Sequence, residues 1–135
     1  LKAKAEPAMP GLVALLDDAN DGVKLQALRV LPKLAGDGGD VVEAFTRRLS
    51  EDDSHEVQAE AARALGQLGP AAVAAGPALL RAVQTAAAGV RVEAMRAVVM
   101  IQPPETADAL SAGLHDAEAG VRKLASAGWR KAETI

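Results

Sequence analysis

A nine-residue pattern that occurs four times constrains the fold of this chain more than any other feature of its sequence. In each copy a valine is followed four residues later by alanine and eight residues later by another apolar residue. The copies are VKLQALRVL (23–31), VQAEAARAL (57–65), VRVEAMRAV (90–98) and VRKLASAGW (121–129). The first valines of successive copies are separated by 34, 33 and 31 residues. Repeats with a period of this length are typical of stacked helical repeat proteins. The chain is therefore expected to be an array of about four similar units.

Each copy of the pattern predicts one face of a helix. At 100° per residue, the valine and the residues four, eight and eleven positions later lie within about 80° of each other. A shorter amphipathic segment, with apolar residues three and four positions apart, precedes each copy: 10–18, 40–50, 76–85 and 104–114. Every unit is therefore predicted to be a pair of helices. The expected units are about 6–36, 39–69, 70–102 and 103–133, within one domain of residues 1–135.

Composition agrees with a helical protein and excludes several kinds of chemistry. Alanine, the best helix former, is abundant, whereas the chain has one Phe, one Trp and no Tyr. It has no Cys, which excludes disulfides and thiol nucleophiles, and its net charge of −3 gives no overall basic character. No run reaches the roughly 20 apolar residues of a membrane span. We expect a segment of a longer protein, located in the cytoplasm.

Two stretches carry a resemblance to a known family. LVALLDDANDGVKLQALRVL (12–31) resembles a HEAT repeat, and ARALGQLGPAAVAAGPALLRAV (62–83) is similar to the short HEAT repeats first associated with phycobilin lyase subunits. The resemblance implies an all-α fold, a right-handed α-solenoid of about four HEAT-like helix pairs with eight helices. It implies no particular activity, because such repeats serve many unrelated functions.

The resemblance also implies a ladder of ion pairs between repeats. In the family an Asp five residues before the valine pairs with a basic residue one position after it. The matching acids are Asp18, Asp52 and Asp116, and the matching basic residues are Lys24, Arg91 and Arg122. Thr85 and Gln58 depart from this pattern, so we expect the ladder to be interrupted in the middle of the stack.

Three further residues predict where the second helices begin and end. Asn20 and Ser54 stand three residues before their valines and are predicted to cap the following helices. Pro32 lies inside the second helix of the first unit, and we expect it to kink that helix or to end it early.

The sequence contains no recognisable catalytic, cofactor or metal site. The two histidines, His55 and His115, lie in separate acidic turns without the ligand spacing that a metal requires. The glycine-rich stretch 36–39 follows no predicted strand and lacks the rest of a phosphate-binding loop. We therefore expect a protein that is not an enzyme and binds no cofactor.

A column of arginines on the second helices is the candidate binding site. Arg29, Arg63 and Arg96 each lie six residues after the valine, on the side of the helix opposite its apolar stripe. In solenoids of this kind the second helices usually line the concave surface, where partners bind. Further candidates on the same face are the apolar residues Leu25, Val92 and Val99 and the basic residues Lys123 and Arg130.

Several interpretations of this column remain open. The arginines could be ordinary solvated residues that pair with nearby glutamates and cover alanine-rich surface. Alternatively, they bind an acidic or phosphorylated peptide of another protein, because guanidinium matches carboxylate and phosphate. A nucleic-acid-binding module is less favoured because aromatic residues are scarce, and an accessory subunit of a bilin lyase rests on family analogy alone. A steep dependence of binding on salt would identify the nucleic-acid alternative.

Overall fold

The computed structural model describes residues 9–34 and 39–133, and these ranges are helical apart from short turns. They contain seven α-helices of eight residues or more, one helix of six residues and two 3-10 segments. The helices are α1 (Met9–Ala14), α2 (Asp21–Leu34), α3 (Gly39–Glu51), α4 (His55–Leu68), α5 (Gly76–Thr85), α6 (Ala88–Ile101), α7 (Thr106–Gly113) and α8 (Ala119–Glu133). The 3-10 segments are Leu15–Asp17 and Gly69–Ala75. No strand occurs in the described ranges, and the prediction of an all-α fold is confirmed.

Two of the second helices, α2 and α4, begin at side-chain caps. The Asn20 side-chain oxygen accepts a hydrogen bond from the backbone N–H of Val23 at 3.2 Å. The Ser54 hydroxyl oxygen accepts one from the N–H of Val57 at 3.3 Å. Each cap satisfies a backbone donor that the first turn of a helix leaves unpaired. Both caps were predicted from the sequence and are confirmed.

Pro32 was expected either to kink helix α2 or to end it early, and the expectation of an early end is wrong. Helix α2 continues to Leu34, which is the same repeat position at which α4 ends at Leu68 and α6 ends at Ile101. The reason is that Pro32 lies in the last turn of α2. A proline there removes one helical hydrogen bond, the one to the carbonyl of Leu28, and the two residues that follow it still belong to the helix.

Two of these helices end where the backbone turns into positive φ. Gly69 follows α4 with φ 64°, a conformation that glycine adopts without a steric penalty. Gln102 follows α6 with φ 58°, and its side-chain amide donates a hydrogen bond to the carbonyl of Val99 at 2.8 Å. A proline follows each of these residues, Pro70 and Pro103, and redirects the chain toward the next helix.

The helices form two layers of a stack. In one layer α2 packs against α4, α4 against α6 and α6 against α8. In the other layer α3 packs against α5 and α5 against α7. The layers meet where α3 packs on α4, α5 on α6 and α7 on α8, so each helix pair contacts its neighbours along the chain. This arrangement is an α-solenoid, as the repeated pattern predicted.

Alanine and glycine allow the second helices to approach closely. Ala61, Ala94 and Ala125, which share one repeat position, are completely buried. Between α4 and α6, a Cβ atom added to Gly66 would lie 3.2 Å from the Cα of Ala97. Between α6 and α8, a Cβ atom on Gly128 would lie 3.0 Å from the Val99 side chain. Small side chains at these positions thus set the spacing of the layer that carries the candidate binding residues.

Candidate partner-binding surface

The three arginines of the predicted column form a row across adjacent helices. Arg29 lies on α2, Arg63 on α4 and Arg96 on α6, each six residues after its valine. Their side chains are 48%, 55% and 50% exposed. Because α2, α4 and α6 are neighbours in one layer, the same repeat position on each helix recurs on the same side of the stack. We refer to these three residues as the arginine row.

Two glutamates accompany the arginine row. The Glu60 carboxylate, only 12% exposed, accepts a hydrogen bond from Arg29 Nε at 3.0 Å across the α2–α4 junction and also lies 3.5 Å from Arg63. Glu93 lies 3.5 Å from Nε of Arg96 on its own helix. Each described contact uses one nitrogen of a guanidinium, so the remaining N–H groups are available for a ligand. Three arginines against two glutamates leave the row with an excess positive charge.

The contacts of these glutamates with arginines of their own helices can be predicted from the sequence. Glu60 and Glu93 stand three residues before Arg63 and Arg96, a separation at which side chains on a helix meet. The contact between Glu60 and Arg29 joins residues 31 positions apart and depends on how two helices pack. Local spacing therefore identifies the glutamates as partners of their own helices but misses the bridge between helices.

The other candidate residues divide into buried and exposed groups. Leu25 is 9% exposed and belongs to the core, so the expectation that it lies on the open face is wrong. The physical reason is that α2 packs against three elements: α4, α1 and the first 3-10 segment. Together they bury more of the surface of α2 than the single apolar stripe predicts. Val92 and Val99 are partly buried against the core, whereas Lys123 and Arg130 on α8 are exposed.

Ion pairs join two of the three junctions between helix pairs. Lys24 Nζ lies 2.8 Å from an oxygen of Asp52, joining α2 to the turn before α4. Arg91 donates two hydrogen bonds to the two oxygens of Asp116, at 2.9 and 3.0 Å, joining α6 to the turn before α8. We call each of these ion pairs a rung. They are the pairs that the family resemblance implied.

The middle junction has no rung among the described residues, as the two departures from the pattern predicted. The Gln58 side-chain amide donates a hydrogen bond to the backbone carbonyl of Asp52 at 2.6 Å, within its own unit. The Thr85 hydroxyl donates to the carbonyl of Arg81 at 2.8 Å. Neither side chain reaches the other, and the junction between α4 and α6 depends on apolar contact instead.

The two rungs shift the pKa values of their acids downward. Burial by itself raises the pKa of Asp52, but the hydrogen bonds from Lys24 and the Ser54 N–H, with the charges of Lys24 and Arg48, lower it overall. Asp116 has a lowered pKa for similar reasons: its burial is outweighed by Arg91, by the N–H of Glu118 and by the charge of Arg122. The hydrogen bonds to Asp52 and Asp116 raise the pKa values of Lys24 and Arg91.

The two histidines and the acidic side chains form no metal site in the part of the chain that the structure describes. His55 and His115 are exposed, and the Nδ1 atom of His115 lies 3.2 Å from the backbone oxygen of Ser111. Within residues 9–34 and 39–133, no three His, Cys, Asp or Glu side chains form a group that could hold a metal ion. None of the described helices is long and apolar enough to cross a membrane.

Comparison with known proteins identifies the family. The family model for HEAT repeats matches residues 9–76 and again residues 48–128. The chain belongs to the HEAT repeat family. The two matches together cover all four helix pairs, from α1 into α8. HEAT repeats are typically non-catalytic and commonly mediate protein interactions through their extended surfaces. A search of curated proteins finds no match to this HEAT array.

Proposed function

We propose that this HEAT array is a non-catalytic scaffold whose second helices bind an acidic or phosphorylated peptide of a partner protein. The observation that carries the proposal is the arginine row, in which three half-exposed guanidinium groups stand at one repeat position on three adjacent helices. Glutamates hold each guanidinium through one nitrogen. The groups are thus already oriented, and less side-chain entropy is lost when a ligand binds.

The spacing of the arginine row suits an extended peptide. Neighbouring packed helices lie roughly 10 Å apart. An extended chain advances at most about 3.3 Å per residue, so acids three residues apart would match successive arginines. The free N–H groups of a guanidinium can pair with a carboxylate or phosphate in a two-bond geometry. Lys123 and Arg130 on α8 continue the positive charge beyond the row.

An exposed methionine supplies apolar contact beside the row. Met100 follows Arg96 by one helical turn, is 48% exposed, and lies in the groove between α4 and α6, where its sulfur would be 3.2 Å from a Cβ atom on Gly66. Methionine is flexible and polarisable, and it adapts to different apolar side chains. It provides an apolar side chain on the face where Leu25 was expected, whereas Leu25 itself is buried.

The test is a charge reversal with a matched control. Arg63 and Arg47 are 55% and 45% exposed, and each pairs with a glutamate on its own helix, but Arg47 lies on α3 outside the row. The probe is a fluorescent peptide with aspartate at every third position, and fluorescence polarisation measures its binding. We expect Arg63→Glu to weaken binding by about tenfold or more, because repulsion replaces attraction. Arg47→Glu should bind as the wild type does.

The triple variant Arg29→Glu/Arg63→Glu/Arg96→Glu should abolish binding. Because Arg29 and Arg63 are the cationic partners of Glu60, which is 12% exposed, this variant should also be less stable than the wild type, and circular dichroism checks that it keeps its helicity. Equal affinities of the Arg63→Glu and Arg47→Glu variants would show that the row is only a solvated face. Tighter binding of duplex DNA than of the peptide, with a steep dependence on salt, would favour the nucleic-acid alternative instead.

A further inference from the structure

A cavity lies at the middle junction, in the place where a rung is missing. Its volume is about 310 Å³, and both Gln58 and Thr85 line it. Its other walls are Leu49, a set of alanines from α5 and the turn that follows, and three polar side chains: Ser50, His55 and Arg81. We call it the middle cavity. No residue of the arginine row lines it, so it is a separate site from the proposed peptide-binding surface.

The middle cavity is lined by hydrogen-bond donors and contains no acid. Among the described residues, no carboxylate or carbonyl oxygen accepts a hydrogen bond from the Arg81 guanidinium. The Gln58 amide uses one N–H on the Asp52 carbonyl, which leaves its second N–H free. The Ser50 hydroxyl and the His55 ring add donors, and none of the lining residues is Asp or Glu.

The first junction has a corresponding cavity with the opposite balance of charge. Lys24 and Arg48 line that cavity together with four acids, and the carboxylate of Asp52 takes both cations as partners at 2.8 and 3.4 Å. At the middle junction Thr85 stands at the repeat position of Asp52, and Arg81 has no acid to pair with. Arg81 is exposed and corresponds to Arg48 of the first junction, but no acid lines the cavity beside it.

We propose that the middle cavity binds one carboxylate group, supplied by an aspartate or glutamate side chain of a partner protein. The ligand carboxylate accepts hydrogen bonds from Arg81 and from the free N–H of Gln58. It thereby takes the place that Asp52 and Asp116 occupy at the neighbouring junctions. The cavity is large enough for the whole side chain, and Leu49 with the alanines of α5 provides an apolar wall for its methylene groups.

The repeat pattern itself provides a variant that closes the site. Thr85→Asp places a carboxylate four residues after Arg81 on α5, within reach of its guanidinium. Adding Gln58→Arg restores the pair found at the third junction between Arg91 and Asp116. The double variant fills the cavity from within the chain. We expect it to raise the melting temperature and to lose carboxylate binding.

The experiment follows backbone amide signals by NMR while the full chain is titrated with capped aspartate (N-acetyl, C-amide) at constant ionic strength. Capped asparagine is the uncharged probe, and inorganic phosphate tests the other anion class. Capped aspartate should shift signals around Ser50, Gln58 and Thr85, with a dissociation constant on the order of millimolar for so small a ligand. Capped asparagine should shift none of them.

Two substitutions then assign the binding to the cavity. Arg81→Gln should weaken aspartate binding by about tenfold or more, because it removes the only arginine of the cavity. Arg47→Gln, on the neighbouring α3, should leave binding unchanged. If the double variant does not fold, Thr85→Asp alone provides the closed site.

Each of the following results would overturn the proposal. The first is a pattern of shifts spread over all basic residues, and the second is equal weakening by Arg81→Gln and Arg47→Gln. The third is unchanged aspartate binding by the Thr85→Asp variant. Binding of phosphate about tenfold tighter than that of aspartate would overturn the assignment to a carboxylate. None of these measurements depends on the arginine row, so they are independent of the test of the proposed function.

Discussion

Replacing Asp52 with asparagine measures what a charged rung contributes to the stability of the stack. The Asp52 side chain is 1% exposed, and one of its oxygens lies 2.8 Å from Lys24 and 3.4 Å from Arg48. Its other oxygen accepts a hydrogen bond from the backbone N–H of Ser54 at 2.9 Å. Asparagine retains an oxygen for Ser54 and a similar shape, but its NH2 group replaces the oxygen that Lys24 and Arg48 contact, so the substitution removes both the charge and an acceptor.

The expected loss of stability follows from the exposure of the two cations. A hydrogen bond to a charged group contributes about 1.5–3 kcal/mol, and breaking a fully buried ion pair costs about 3–5 kcal/mol. Lys24 and Arg48 are 13% and 15% exposed, so both can turn partly toward water once Asp52 is neutral. We therefore expect Asp52→Asn to lower the free energy of unfolding by about 2–4 kcal/mol. For a chain of this size the melting temperature would fall by roughly 6–20 °C.

The pH dependence provides a second check on the same substitution. The pKa of Asp52 is lower in the folded chain than in the unfolded chain, where it is about 3.9. The stabilisation is therefore complete above the unfolded value and is lost as the pH falls through the folded value. Wild type and Asp52→Asn should differ most at neutral pH, and the difference should shrink as the solution becomes acidic.

Urea denaturation followed by circular dichroism, at neutral pH and near pH 3, measures both effects. The control is Glu43→Gln on α3, the helix that precedes Asp52; the Glu43 carboxylate is 84% exposed and pairs with Arg47 at 3.3 Å. This exposed pair should contribute less than about 0.5 kcal/mol. An Asp52→Asn variant within about 0.5 kcal/mol of wild type at neutral pH, or a deficit that does not change with pH, would refute the reasoning.

Four further substitutions test the packing of the second helices. Ala61→Leu or Ala94→Leu should each destabilise the array by about 1–3 kcal/mol in urea denaturation, because both alanines are fully buried; a neutral result would mean that the helices can separate. Gly66→Ala should also destabilise it, since its new Cβ meets the backbone of α6 at Ala97. Gly89→Ala, where no atom lies within 4 Å, should instead raise the free energy of unfolding by about 0.5–1 kcal/mol. The decisive observation is that Gly66→Ala lowers the free energy of unfolding whereas Gly89→Ala raises it.

Features that depend on local spacing were predictable from the sequence. The stripe of valine and alanine determines which face of a second helix is buried, and the caps Asn20 and Ser54 lie at fixed distances before it. The alignment of repeats located both rungs and the interruption between Gln58 and Thr85. The unit boundaries and the right-handed sense of the solenoid stay predictions.

Features that depend on how helices pack were not predictable in this way. The burial of Leu25 reflects contact of α2 with elements on more than one side, which a single helical stripe does not show. The bridge from Glu60 to Arg29 requires the register of two helices. In both cases the deciding contact joins residues that are distant in the sequence. The continuation of α2 past Pro32 to Leu34 was also not predicted.

The missing rung at the middle junction predicts the order in which the junctions between helix pairs weaken as the pH falls. Protonation of Asp52 and Asp116 weakens the first and third junctions, where the rungs lie. The middle junction is held by apolar contact, as between Gly66 and Ala97, and has no rung to lose. Because each unit of a solenoid contacts only its neighbours, the outer helix pairs can uncouple without the centre. We therefore expect acid to detach the two end pairs before it separates the central unit of four helices, α3 to α6.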